Sequence, residues 1–85
     1  MIWHVYIIEC VDGSLYTGIT NDLGKRITQH NEGLGAKYTK SRRPVQLRYS
    51  EPAIDRKSAS QREYVIKSLC RAEKLQLIKV KSEKI

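Results

Sequence analysis

Hydrophobic residues recur along this chain in two rhythms. Ile2 to Cys10 is rich in β-branched and aromatic side chains, with Val5-Tyr6-Ile7-Ile8 as an unbroken apolar run. Leu15 to Thr20 has the same character, and Asp12-Gly13 between them is a strong turn signal, so the two segments read as a β-hairpin. Loop length decides which side chains meet. A two-residue Asp12-Gly13 turn would pair Val11 with Ser14 and send Tyr6 and Tyr16 to opposite faces. An odd loop, such as Asp12-Gly13-Ser14, would pair Cys10 with Tyr16 and bring both tyrosines to one face.

The rhythm then becomes helical. Thr20-Asn21-Asp22 offers N-cap chemistry to a helix running to about Asn31, where Asn31 and Gly33 supply a stop. Gly24 inside it costs about 1 kcal/mol relative to Ala. Gly33 to Pro44 is loop-like and basic. Val45 to Ser50 alternates with period two after Pro44, which makes a third strand ended by Pro52. From Asp55 a helix carries Ala59, Ile66 and Cys70 on one line, with Val65 and Leu69 beside them. A second short helix, about Ala72 to Lys79, buries Leu75 and Ile78. The order β-β-α-β-α-α predicts an α/β (α+β) fold, a three-stranded, mainly antiparallel sheet flanked by helices. No repeat or linker divides the chain, so residues 1–85 read as a single domain.

Composition adds a partner class. Among 85 residues, 16 Lys and Arg stand against 9 Asp and Glu, giving a net charge of +7. That surplus makes a polyanion the first guess, with nucleic acid ahead of a membrane surface. A mean hydropathy of −0.52 fits a soluble globule. The opening apolar run is far below the ~20 residues a bilayer requires, and it has neither the charged flank nor the cleavage site of a signal peptide. Cys10 and Cys70 lie among apolar neighbours and read as reduced, buried thiols of a cytoplasmic protein, with no disulfide-linked partner. Together with His4 and His30 they lack the paired spacing of a structural zinc site. A monomer is expected, because no long apolar stripe is left over once the core is assigned.

Several polar residues stand where plain surface would not need them. Arg26 and His30 are four apart and stack along one helix face, either as a solvated surface or as part of a site. Glu63 shares the line of Ala59, Ile66 and Cys70, which turns a carboxylate inward. Ser60-Gln61-Arg62-Glu63 also fits a capping box, a purely structural role if the helix began at Ser60; the apolar periodicity and Asp55 favour an earlier start. Gly18, two residues after Tyr16, leaves open space on the same side of its strand. Between Gly33 and Ser50 there is no acid, while Lys37, Lys40, Arg42, Arg43 and Arg48 are positive and Tyr38 lies among them. Cations of this kind neutralise phosphates, and an interleaved aromatic can stack on an unpaired base, so Lys37, Tyr38, Lys40, Arg42 and Arg43 are the candidate nucleic-acid-binding residues.

Val5-Tyr6-Ile7, followed ten residues after Tyr6 by Tyr16-Thr17-Gly18, resembles the paired signature of the GIY-YIG nuclease superfamily. Thr20-Asn21-Asp22-Leu23 leads into Arg26, where the family keeps a helix arginine, and Glu63 stands where it keeps a metal-binding glutamate. Asn31 to Thr39, with Arg42-Arg43-Pro44, resembles the small stand-alone bacterial members. The likeness runs from about Trp3 to Ala72. It departs at the first motif, which reads Val-Tyr-Ile, and at Ile19, where some repair relatives carry a lysine.

The resemblance implies both tyrosines facing one site, and hence the odd hairpin loop. It implies phosphodiester hydrolysis of DNA, or alternatively RNA, with one Mg²⁺ or Mn²⁺ held by Glu63. Arg26 would donate to the phosphoryl oxygens as charge builds. Tyr16 would orient or deprotonate the attacking water, and Tyr6 would hold the network through its hydroxyl. A tyrosine ordinarily ionises near pH 10, so a basic role needs positive charge beside it. His30, of a residue type that titrates near neutrality, is the alternative general base. The competing reading is a module on the same fold that binds nucleic acid, or docks with a partner, without cleaving.

Overall fold

β1 (Trp3–Glu9) runs between β2 (Leu15–Thr20) and β3 (Gln46–Ala53) in an antiparallel three-stranded sheet of order β2-β1-β3, in a computed structural model that describes residues 2–83. Helices cover both faces of the sheet, which explains the unbroken apolar run: Val5, Tyr6, Ile7 and Ile8 are all 0% exposed. On one face Tyr6, Ile8, Cys10 and Val45 pack with Tyr16 and with Leu23 and Ile27 of α1 (Leu23–Asn31). On the other, Val5 and Ile7 pack against Ala59 and Ile66 of α3 (Arg56–Lys67) and Ile78 of α4 (Arg71–Glu83). This is the α+β architecture expected from the sequence.

The hairpin has an odd loop, but its register differs by two residues from the expected one. Tyr16 lies opposite Ile8 rather than Cys10, and the three-residue loop is Val11-Asp12-Gly13. Gly13 takes φ +85°, the left-handed conformation such a loop requires, and Asp12 Oδ1 accepts from both the N–H and the hydroxyl of Ser14. A shift of two preserves parity, so Tyr6, Ile8, Tyr16 and Gly18 still share one face.

Four further expectations are corrected. Pro52 does not end β3; it sits opposite His4 within the strand, tolerated because β3 is an edge whose outward N–H has no partner to lose. The basic stretch contains a one-turn helix, α2 (Lys37–Lys40). Cys70 is exposed beyond the end of α3, while Cys10 is buried, and both are free thiols. Leu75 remains 42% exposed because α4 meets the sheet through Leu77 and Ile78.

Asp22 and Asp55 cap α1 and α3, accepting from the N–H groups of Lys25 (3.1 Å) and Ser58 (2.8 Å). Gly33, at φ +81°, closes α1 with bonds from its own N–H to His30 and from that of Leu34 to Gln29. Among the described residues no helix is long and apolar enough to cross a membrane.

Candidate functional site

Tyr6 lies opposite Gly18 in the sheet, and its phenol leans across that glycine: a Cβ there would sit 2.5 Å from the Tyr6 hydroxyl oxygen. The space left by Gly18 is thus filled by a buried tyrosine. Above it, the capped α1 presents Arg26 and His30 one turn apart. His30 is fully buried, with its ring edge-on to both Tyr6 (5.8 Å between centroids) and Tyr16 (5.5 Å).

Hydrogen bonds fix the His30 tautomer. The Thr39 hydroxyl donates its only proton to the Ala36 carbonyl (3.0 Å), so it accepts from His30 Nδ1–H (2.8 Å). His30 Nε2 is left as acceptor for the Tyr6 hydroxyl, also at 2.8 Å. Gly35 permits this closeness, since a Cβ at that position would collide with His30 Nδ1.

Burial, followed by the charge of Arg26, pushes the His30 pKa down to about 4. That overturns the expectation of a histidine poised near neutrality; the ring is neutral at pH 7 and both nitrogens are engaged. Acidification should therefore destabilise the fold. Between about 6.5 and about 4 the unfolded chain binds a proton on His30 that the folded chain does not, so stability present above that interval, on the order of 3 kcal/mol, is lost across it. Melting temperatures from pH 7 to pH 4 check this, with a flatter acid limb expected for His30→Gln. Thr39→Val should cost about 1–3 kcal/mol in a denaturant melt, because it strands a buried N–H, while Thr39→Ser should retain most of the stability.

Burial raises the Tyr6 pKa, and the hydrogen bond and charge of Arg26 offset only part of that rise. Tyr6 is therefore a protonated hydroxyl at neutral pH, donating to His30. Arg26 Nη1 also donates to Gln29 Oε1 at 3.3 Å. The Glu63 carboxylate acts on Tyr6 as well, since its charge raises the same pKa. Because α3 begins at Arg56 with Asp55 as its cap, Glu63 lies inside the helix and the capping-box alternative falls. Its side chain is 23% exposed and 3.6 Å from Lys67 Nζ. Among the described residues no group of three His, Cys, Asp or Glu side chains could cage a metal ion.

The basic stretch is more built than a loop. Tyr38 stacks on Tyr16 (5.8 Å between centroids, 23° between planes), and the Arg42 guanidinium lies 4.1 Å from the Tyr38 ring centroid. Arg42 also bonds Asp12 Oδ2 (3.1 Å) and the Tyr38 carbonyl (2.7 Å). Arg43 donates to the Lys40 carbonyl at 2.8 Å, and Arg48 pairs with Glu9 at 3.4 Å. Arg42 and Arg43 thus pin α2 in place, whereas Lys37 and Lys40 are exposed on it. Sequence reasoning missed Thr39 and Gly35. The signal for both was faint, a Gly-x-x-x-Thr spacing that means nothing until His30 is known to be buried beside it.

The chain matches the GIY-YIG catalytic domain over residues 2–76. It is 55% identical over 83 residues to a UPF0213 protein of Desulfotalea psychrophila, covering 96% of this chain and 74% of that protein. A UPF0213 protein of Clostridium perfringens is 57% identical over 81 residues, covering 95% and 87% of the two chains. Among solved structures, the solution NMR structure of a UPF0213 protein from Bacillus halodurans is similar with a TM-score of 0.62 and 44% identity, over 95% of this chain and 86% of that one. A solution NMR structure of an E. faecalis protein gives 0.67 and 37%, over 100% and 91%. With a catalytic-domain match spanning both tyrosine motifs, Arg26, His30 and Glu63, the chain belongs to the GIY-YIG family.

Proposed function

We propose that the protein is a divalent-metal-dependent endonuclease that hydrolyses phosphodiester bonds of DNA. The observation that carries this reading is the convergence on Tyr6: His30 accepts its proton in a hydrogen bond, and the charges of Arg26 and Glu63 both act on its hydroxyl, in opposite directions. Such an arrangement combines a cation, an anion and an oriented hydroxyl in one electrostatic neighbourhood. It is suited to a phosphodiester, whose transition state gathers negative charge that preorganised donors stabilise.

One carboxylate fits a hard ion that keeps most of its waters and borrows oxygens from a substrate phosphate, as Mg²⁺ or Mn²⁺ does. Glu63 would hold that ion, and His30 would not, since both its nitrogens are bonded within the protein. When bound, the ion would polarise the scissile phosphate and stabilise the leaving oxygen. Arg26 would donate to the non-bridging oxygens. Tyr16 would meet the attacking water, a reading supported by its being half-buried where His30 is fully enclosed. His30 would act through Tyr6, fixing the direction in which that hydroxyl points. Lys37 and Lys40 would add backbone affinity beside the Tyr16–Tyr38 stack.

The test is cleavage of labelled single-stranded, duplex, flap and RNA substrates with Mg²⁺ or Mn²⁺, beside the Glu63→Ala protein. Cleavage by the parent that disappears in the variant is expected. Salt-sensitive binding without cleavage by the parent would overturn the enzyme reading in favour of a non-cleaving module.

A further inference from the structure

Arg26 belongs to two places at once. Beside the tyrosine cluster, it also walls a cleft of about 410 Å³ where β2 ends and the N-terminal turns of α1 and α3 approach each other. That volume lies within the roughly 300–1,000 Å³ of ordinary ligand sites. Lys25 and Arg56 line the cleft with it, and Trp3 forms part of the wall. Among the described residues, the only acid lining it is Asp22, whose carboxylate already accepts the Lys25 N–H as the α1 cap. Among the described residues, neither Lys25 nor Arg56 is in an ion pair. The Arg56 guanidinium instead lies over the Trp3 indole, 5.8 Å from the ring centroid, which steadies it without neutralising it.

Geometry ties this cleft to the tyrosine cluster from two sides. Lys25 and Arg26 are successive on α1. Arg56 and Glu63 are seven apart on α3 and so share one stripe, two turns or about 10.5 Å apart. At about 3.4 Å per nucleotide that interval matches about three stacked nucleotides of one strand. At the other end of α1, Thr39 ties α2 to His30, which brings Lys37 and Lys40 there. Cations therefore flank α1 at both ends, with Arg26 between them.

We infer that the Trp3–Lys25–Arg56 cleft seats the phosphodiester backbone of the nucleic-acid strand flanking the scissile phosphate, with Lys25 and Arg56 as its phosphate contacts. The inference rests on the nuclease reading for what lies at Arg26, but makes its own claim about binding. It also moves part of the affinity away from the Gly33–Pro44 stretch, where Arg42 and Arg43 are occupied in holding α2.

Trp3 is the sole tryptophan of the chain and sits in the cleft wall, so its fluorescence reports occupancy directly. The experiment titrates the whole protein with a twenty-nucleotide single-stranded DNA in EDTA, at several salt concentrations, and compares Lys25→Gln/Arg56→Gln with Lys37→Gln/Lys40→Gln. Cleavage kinetics with Mn²⁺ and a melting curve accompany each protein. The parent should show a Trp3 signal change. The cleft variant should lose it, bind at least about tenfold more weakly, and lose about 1.4 from the slope of log K against log salt, two contacts at about 0.7 each. Its KM should rise while kcat stays within about twofold and the melting temperature holds. An unchanged slope and KM in the cleft variant, with a parent that binds and cleaves, would overturn the cleft and leave the nuclease intact. A parent that binds through the cleft but never cleaves would leave the inference standing and remove the nuclease reading. A parent that binds no substrate at all overturns both.

Discussion

Glutamine in place of Glu63 is expected to reduce single-turnover cleavage by about 10³-fold or more while the melting temperature barely moves. The two halves of that expectation have different causes. A bound divalent ion contributes several kilocalories per mole of transition-state stabilisation, and Glu63 is the carboxylate proposed to hold it. Glutamine keeps the shape and one oxygen of the side chain but removes the charge a hard cation requires. Stability, by contrast, has little at stake. The partly exposed Glu63–Lys67 pair at 3.6 Å is of the i,i+4 kind worth roughly 0.3–0.5 kcal/mol, and Asp55, not Glu63, caps the helix. Quenched-flow or gel-based cleavage beside a thermal melt separates the two. Activity within tenfold of the parent would remove Glu63 from the mechanism.

Arg26→Ala should cost about 10²–10³ in kcat/KM, the loss typical of one preorganised donor at a site of developing charge. Its effect should extend beyond the phosphate, because the arginine's charge lowers the Tyr6 pKa and helps hold the His30 pKa down. Removing it should let His30 in the folded chain titrate at higher pH, closer to its unfolded value, so that less stability is lost between pH 7 and pH 4 than in the parent. A lysine at this position should restore charge but not the planar fork, and so recover activity only in part. The pH dependence of melting, measured beside cleavage, distinguishes a missing phosphate donor from a collapsed site. Unchanged cleavage in Arg26→Ala would contradict the role.

Much of the candidate site was legible because period and spacing are local properties. Four residues separate Arg26 from His30, and that places them on one helix face whatever surrounds the helix. Asp22 and Asp55 advertised their helices through capping chemistry, which involves only the next three residues. The shared face of Tyr6 and Tyr16 needed only the parity of the hairpin loop, and an error of two in the register left it untouched.

Failures came where burial depends on distant chain. Cys70 continues the apolar spacing of α3 but lies past the end of that helix at Lys67, and it is exposed. Pro52 reads as a stop until the strand carrying it proves to be an edge. His30 is the sharpest case. Its position on α1 was evident, yet its chemistry was set by Gly35 and Thr39 closing over it and by Tyr6 from the sheet.

The chain alone therefore determined the element order, the alternation that makes a sandwich, the surplus of positive charge and the identity of the polar side chains. Tertiary structure decided which of those side chains lose their water. A pKa, a tautomer and a free cation are all consequences of desolvation and of neighbours far away in sequence. That is why His30 turned out neutral and enclosed, why Arg42 and Arg43 turned out to be braces, and why Lys25 and Arg56 were visible as a pair only in the folded molecule.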